Sequence, residues 1–327
     1  MPAYNAEADI ETCLRALQAS SVTPAQLIVV DDGSTDRTRE IARSLGVTVI
    51  DSGRRQSGPG AARNVAAQHS NADLLLFVDA DVVVCPDTLA RLCAPFEDNA
   101  RLGAVFGSYD DKPGDPGFLS QYKNLQHHYV HQAANPEAET FWAGCGAVRR
   151  TAFEQVGGFD GGRYGAPSIE DIELGYRLRE HGWRIRLERD IQVCHLKRWR
   201  LKRLLHTEIF CRALPWSALM LARGKVPADL NLHWSDRFSA VAAWLLVATL
   251  AWSLLHPGAL AIAALALLGI VLTNRGFYGF LWRRRGTWFA LRSVPLHVLY
   301  FLYSSACFGL CWFRRLIGHG LSGEVPS

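Results

Sequence analysis

Between residues 238 and 274 the chain carries no Asp, Glu, Lys or Arg. Roughly 20 apolar residues already span a bilayer, so a run of this length predicts a membrane region. Two apolar helices, 238–255 and 258–273, flank the turn signal His256-Pro257-Gly258 and predict a tight hairpin. A third span is expected over 293–313, with a re-entrant or interfacial path as the alternative, because Arg314-Arg315 would fall on the far side. Arg275 and Arg283-Arg284-Arg285 follow the hairpin, and the positive-inside rule places them, with the domain that precedes the hairpin, in the cytoplasm. The expected location is the inner (cytoplasmic) membrane, multi-pass.

The overall charge of +4 comes from this tail. Residues 238–327 hold seven Arg and one acid, which leaves 28 basic and 30 acidic side chains in the first 237 residues. A body of that balance excludes a nucleic-acid-binding surface. The eight cysteines show no paired spacing of a zinc site or a secreted framework, and read as buried thiols in a reducing compartment.

Upstream of the membrane run, helical and strand patterns alternate. Helix is expected over 9–19, 38–45, 58–70, 86–96, 118–134 and 168–181; strand over 27–30, 47–50, 74–78, 104–109 and 141–149. Residues 157–167 are Gly-rich and read as a mobile loop, and 183–195 as one or two short strands. A basic, aromatic segment, 197–221, has helical spacing. This alternation predicts an α/β fold with a mainly parallel, doubly wound sheet whose ligand sits beyond the carboxyl ends of the strands.

The chemistry-bearing residues fall at that edge. Asp79-Ala80-Asp81 ends an apolar strand, where positions i and i+2 share a side. The pair reads as hard oxygen ligands for Mg²⁺ or Mn²⁺ beside a diphosphate, or as a solvated turn. Asp31-Asp32-Gly33-Ser34 ends another strand and reads as a nucleotide pocket or a helix cap. Gly58-Pro59-Gly60-Ala61-Ala62-Arg63-Asn64 opens a helix with small residues, which suits close approach of a phosphate to backbone N–H groups, or simply a tight loop. Ser168-Ile169-Glu170-Asp171 resembles a capping box, but a cap needs only one acid, and the other is placed to act as a general base. His195 closes a strand and is either structural or a metal ligand. Lys197, Arg198, Arg200, Lys202 and Arg203 lie among Trp199, Leu201, Leu204 and Leu205, as an interfacial helix against anionic headgroups or lipid diphosphate would, or a solvated basic face.

Taken together, Pro2-Ala3-Tyr4-Asn5, the Asp31 and Gly58 motifs, Asp79-Ala80-Asp81 and Glu170-Asp171 occur in the order and rough spacing of family 2 glycosyltransferases with the GT-A fold, and the chain resembles that family over residues 2 to about 205. The resemblance implies a metal-dependent, inverting enzyme that moves one sugar from a UDP- or GDP-sugar. Ala3, Tyr4 and Asp32 would line the nucleoside, with Asp31 close by and Arg63 near the base or diphosphate. Asp79 would face the ribose or the metal, Asp81 would bind Mn²⁺ or Mg²⁺, and His195 would complete that contact. Asp171 would deprotonate the acceptor hydroxyl, with Glu170 orienting the acceptor. Trp142-Ala143-Gly144-Cys145-Gly146 would floor the donor-sugar pocket.

Two departures matter. Processive synthases of the family carry Gln-x-x-Arg-Trp, whereas here His195-Leu196-Lys197 precedes Arg198-Trp199, which favours single transfer. Relatives also have an apolar first strand before Pro-Ala-Tyr-Asn where this sequence has only Met1, so some five to ten Val- and Ile-rich residues are expected upstream. The expected organisation is a transferase domain over 1–205, interfacial or linker helices over 206–236, a membrane region over 237–313 and a tail over 314–327. The acceptor is expected to be lipid-linked or a cell-envelope glycan, because the site should lie near membrane lipids. A nucleotidyltransferase and a non-catalytic scaffold that keeps the fold are the rival readings. The first would more usually show a phosphate-binding lysine in a Gly-rich loop near its start.

Overall fold

The computed structural model describes residues 1–53, 56–164, 166–224 and 234–318. The remaining positions of the expected loop (Gly165), linker (225–233) and tail (319–327) lie outside them. The chain divides into two compact units at the step from Arg200 to Leu201.

The first unit is α/β. Its elements are β1 (Pro2–Ala3), α1 (Ile10–Gln18), β2 (Ile28–Asp31), α2 (Thr38–Ser44), β3 (Thr48–Asp51), α3 (Pro59–Gln68), β4 (Leu74–Val78), β5 (Val82–Val83), α4 (Thr88–Cys93), β6 (Leu102–Tyr109), α5 (Phe118–Ala133), β7 (Glu137–Ala138), β8 (Cys145–Arg149), α6 (Arg150–Gln155), α7 (Glu170–Glu180) and β9 (Arg184–His195). β1, β2 and β3 form a parallel sheet. β2 is buried along its whole length, and its side chains alternate between two layers. Val29 packs in one core with Ile10, Cys13, Leu14 and Leu17 of α1, which recur at helical spacing, while Ile28 and Val30 pack on Ala62 of α3.

The other strands run β4-β8-β6-β9-β5, with β7 on β9. This sheet is mixed where the sequence reading expects mainly parallel pairing: β8 runs against both β4 and β6, and β6 runs parallel to β9. The reversal matters for the site. Because Val78 pairs with Cys145, β8 begins where β4 ends, and the Asp79 N–H donates to the Gly144 carbonyl at 3.1 Å. The 183–195 region is one strand of 12 residues, not two short ones. Ile185 and Leu187 point inward between the charged Arg184, Arg186 and Glu188, and Arg184 pairs outward with Glu137 of β7.

The second unit is helical: α8 (Leu201–His206), a π-helical turn (Thr207–Ala213), α9 (Leu214–Arg223), α10 (Trp234–Trp252), α11 (Ala259–Thr273), α12 (Arg275–Arg285) and α13 (Thr287–Leu316). The expected helix over 197–221 therefore starts at Leu201 and changes pitch midway. The expected hairpin is α10 packed on α11 through Ala242, Ala243, Ala263 and Ala266, small residues that let two helices approach closely. Asn274 Nδ2 ties its end to Ser239 Oγ at 2.8 Å. Of the described helices, α13 alone is long and apolar enough to cross a membrane, and it contains the expected third span. α11, at 15 residues, rises about 22 Å and is short of a bilayer core by itself. It passes only together with α12, across a 73° bend. All eight cysteines are free; Cys13, Cys145, Cys307 and Cys311 are buried and Cys85 is exposed.

Candidate active site

The sequence-selected acids of the first unit have two kinds of surroundings. At the end of β2, Asp32 is saturated by its surrounding loops, whereas Asp31 bonds through Oδ2 and leaves its buried Oδ1 without a partner among the described residues. Asp32 accepts from Ser52 Oγ (2.8 Å), Ser57 N (3.0 Å), Ser57 Oγ (2.6 Å) and Gly58 N (2.9 Å), and so fixes the loop that opens α3. Asp31 is fully buried; its Oδ2 accepts from Arg39 Nε at 3.0 Å and from the Gly33 and Ser34 amides. Burial opposes ionisation of Asp31, but Ser34 and Arg39 outweigh it and hold the carboxyl below its ordinary range. Ala3 is buried beside Asp31 in register, and Tyr4 stands exposed just beyond, its hydroxyl accepting from Gln56 Nε2.

At the ends of β4 and β9, and at the start of α7, the acids keep unused lone pairs. Arg63, 4% exposed, is the centre of a buried ion triad, with Nη2 at 2.6 Å from Asp79 Oδ1 and Nη1 at 3.0 Å from Glu170 Oε1. It links α3, β4 and α7, and its cation is spent on two carboxylates of the protein. Glu170 also accepts from the Ser168 amide at 2.9 Å, so it is a buried tether at the helix start. Asp171, the next residue, is half-buried. Its Oδ2 accepts from the Ala143 amide at 3.1 Å and its Oδ1 from the Ile172 amide at 2.8 Å. Burial first, then the charge of Glu170, pushes the Asp171 carboxyl up to about 7 against the pull of Arg63. The β8 approach keeps this acid next to the segment 142–146. Gly144 has no room for a side chain, because a Cβ there would lie 2.5 Å from the ring of Trp142. Gly175 has none either, since a Cβ would meet the Phe141 amide at 2.3 Å, and α7 therefore sits directly on this backbone.

Asp81 and His195 are joined by the β5–β9 ladder, in which Val82 pairs with His195 and the Leu196 amide donates to the Asp81 carbonyl at 2.9 Å. His195 Nε2 lies 3.6 Å from Asp81 Oδ2, and Lys197 Nζ lies 3.9 Å from the same oxygen. Burial opposes ionisation of Asp81, but the His195 and Lys197 contacts hold it well below the usual carboxylate range. A carboxylate facing an imidazole across that gap suits Mn²⁺ or Mg²⁺. Among the described residues no three His, Cys, Asp or Glu side chains form a complete cage. Such an ion would draw its other ligands from phosphate oxygens and water, the usual arrangement for a cation shared with a nucleotide.

Sequence reasoning selected the carboxylates, Arg63, Gly144 and His195 singly but missed Arg39, Gly175 and the aromatic surroundings of His195. The Tyr109 ring stacks on His195, and Trp142 and His127 pack against Tyr109. No local pattern marks that cluster, because its members come from β6, β9, α5 and the 142–146 segment.

The mixed sheet with its flanking helices has the GT-A architecture. Residues 1–157 match the family described as "Glycosyl transferase family 2". A validoxylamine A glucosyltransferase of Streptomyces hygroscopicus subsp. limoneus is 30% identical over 219 residues, covering 56% of this chain and 47% of its own. The succinoglycan biosynthesis protein ExoA of Rhizobium meliloti is 30% identical over 199 residues, covering 57% of this chain and 58% of its own. The chain spans about half the length of these curated relatives. Among solved structures, the mannosyltransferase PcManGT from Pyrobaculum calidifontis, in complex with GDP-Man and Mn²⁺, superposes with a TM-score of 0.59 at 22% identity, covering 94% of this chain and 85% of that one. The fold is GT-A.

Proposed function

We propose that the chain is a membrane-anchored, metal-dependent, inverting glycosyltransferase that moves one sugar from a nucleoside-diphosphate sugar to the hydroxyl or phosphate of a lipid-linked or envelope-glycan acceptor. The observation that carries the reading is Asp171: a half-buried carboxylate, raised to about 7, next to the 142–146 segment. A base whose proton affinity lies near neutrality is matched to taking a proton from a hydroxyl. Asp171 would take that proton as the acceptor oxygen attacks the anomeric carbon in line, which inverts the configuration. Glu170 and Arg63 hold the start of α7, and with it Asp171, at a fixed distance from Asp79. Asp81 and His195, with Asp79 facing the ribose or the ion, would hold Mn²⁺ or Mg²⁺, which when bound neutralises charge on the departing diphosphate. Ala3, Tyr4, Asp31 and Asp32 would border the nucleoside, and Gly144 the donor sugar. Mn²⁺ in the mannosyltransferase of the same fold accords with this choice of cation.

The membrane part rests on α13. Trp288 and Trp312, both well exposed, stand near its two ends, about 36 Å apart at the helical rise, as interfacial anchors do. The α10–α11 hairpin, with Trp234 and Trp252 exposed at the ends of α10, would add to the anchor. Arg283-Arg284-Arg285 between the apolar helices would face the cytoplasm, with the transferase domain over 1–205, the linker over 206–236 and the membrane region over 237–313.

The test is turnover of a panel of UDP- and GDP-sugars by the detergent-purified chain with Mn²⁺, followed by mass analysis of lipid products. Release of nucleoside diphosphate that stops with a chelator, and a lipid gaining one sugar mass, is expected. Metal-independent release, or no turnover of any nucleotide sugar, would contradict the reading.

A further inference from the structure

A histidine that ligates a metal usually donates its second ring N–H to a carboxylate, carbonyl or water, and that bond sets the ring's orientation. Among the described residues no carboxylate or carbonyl accepts from His195 Nδ1, and its polar contact is Nε2 toward Asp81. The ring lies instead flat on the Tyr109 phenol, with centroids 4.1 Å apart and planes 10° from parallel. Tyr109 is itself pinned. It ends β6 with 8% exposure, its carbonyl accepts from His128 Nδ1 at 2.7 Å, and its ring meets Trp142 edge-on at 4.7 Å and His127 at 4.6 Å. The backbones of β6 and β9 run parallel there, Tyr109 beside Val193, so the stack is a fixed property of the sheet.

We propose that Tyr109 is the positioning residue for His195: its ring, wedged by Trp142 and His127, holds the imidazole plane so that Nε2 faces Asp81 and the divalent cation between them. The proposal rests on the metal reading above. It adds a reason for an aromatic residue at the end of β6 that the chemistry itself does not touch. A flat ring face is also electron-rich, and it favours an imidazole that gives up density to a cation.

The experiment is Mn²⁺ binding, followed by electron paramagnetic resonance, to the full chain in detergent with UDP and separately with GDP. Tyr109→Leu, with Tyr109→Met as a second replacement of different shape, is expected to weaken Mn²⁺ roughly tenfold, the scale of a lost orienting contact. Tyr109→Phe keeps the ring and is expected to bind as the parent does. In a His195→Ala background, Tyr109→Leu is expected to add nothing, which separates orientation of His195 from a general packing defect. Unchanged Mn²⁺ affinity in Tyr109→Leu and Tyr109→Met, a tenfold loss in Tyr109→Phe, or an equal loss with and without His195 would overturn this proposal while the metal reading stands. A parent chain that retains Mn²⁺ with neither nucleotide would overturn both.

Discussion

The acids at the end of β2 and those at the end of β4 and the start of α7 look alike in sequence, yet their surroundings are opposite. Asp32 has four donors and almost no exposure, and Asp31 is sealed against Arg39. Asp171 has two backbone donors and a carboxyl raised to about 7, and Asp81 faces an imidazole across 3.6 Å. A carboxylate with four donors, as at Asp32, stabilises its loop first of all. One that is only part-satisfied costs stability and is available for chemistry.

This contrast is best broken at Asp171. Asp171→Asn should lower transfer by about 10²–10⁴-fold, the usual contribution of a general base, with nucleotide affinity within a few-fold of the parent. Equal losses in both would mean that the residue is a cap. Asp81→Ala should come next: Mn²⁺-dependent nucleotide binding should fall at least tenfold while thermal stability changes little. Persistence of metal-dependent binding would remove Asp81 from the site. Asp32→Ala should do the reverse. It strands the buried Gly58 amide and the half-buried Ser57 amide, so a loss of order 1–3 kcal/mol in unfolding free energy is expected, measured by denaturant titration. A normal stability would mean that the loop anchor is dispensable.

The smallest effect follows from the sign of the Asp171 shift. Its proton affinity is raised on folding, so its favourable contribution is present below the ordinary carboxylate range and is lost as pH rises through about 7. Asp171→Asn escapes that loss and should be more stable than the parent at pH 8, with the difference vanishing near pH 4. A variant less stable at pH 8 would show that the carboxylate is well solvated.

Much of this was legible in the sequence because each chemical motif abuts a short apolar strand. Leu74–Val78 is bounded as its apolar run predicts, and Asp79 and Asp81 fall at its end. What was illegible depends on partners far along the chain. β7 is two residues that exist only by pairing with β9, and the length of β9 comes from being held by β6, β5 and β7 together. Arg63 read as a ligand-facing cation, but its guanidinium is claimed by Asp79 and by Glu170, whose proximity only the folded sheet creates. The capping box suggested by Ser168 does not form, because Ile169 is the N-cap of α7 and carries no side-chain cap. Glu170 ties the helix start through the Ser168 amide, while Asp171 accepts from the Ala143 and Ile172 amides.

The most direct measurement is the pH dependence of kcat/KM for transfer, with donor and Mn²⁺ fixed and acceptor varied. With Asp171 as the base, the parent rate should climb through about pH 7 to a plateau, because the carboxylate must be unprotonated to accept the acceptor's proton. The residual rate of Asp171→Asn should lose that step. A parent profile flat from pH 5 to 8, or the same step surviving in Asp171→Asn, would contradict the assignment of the base.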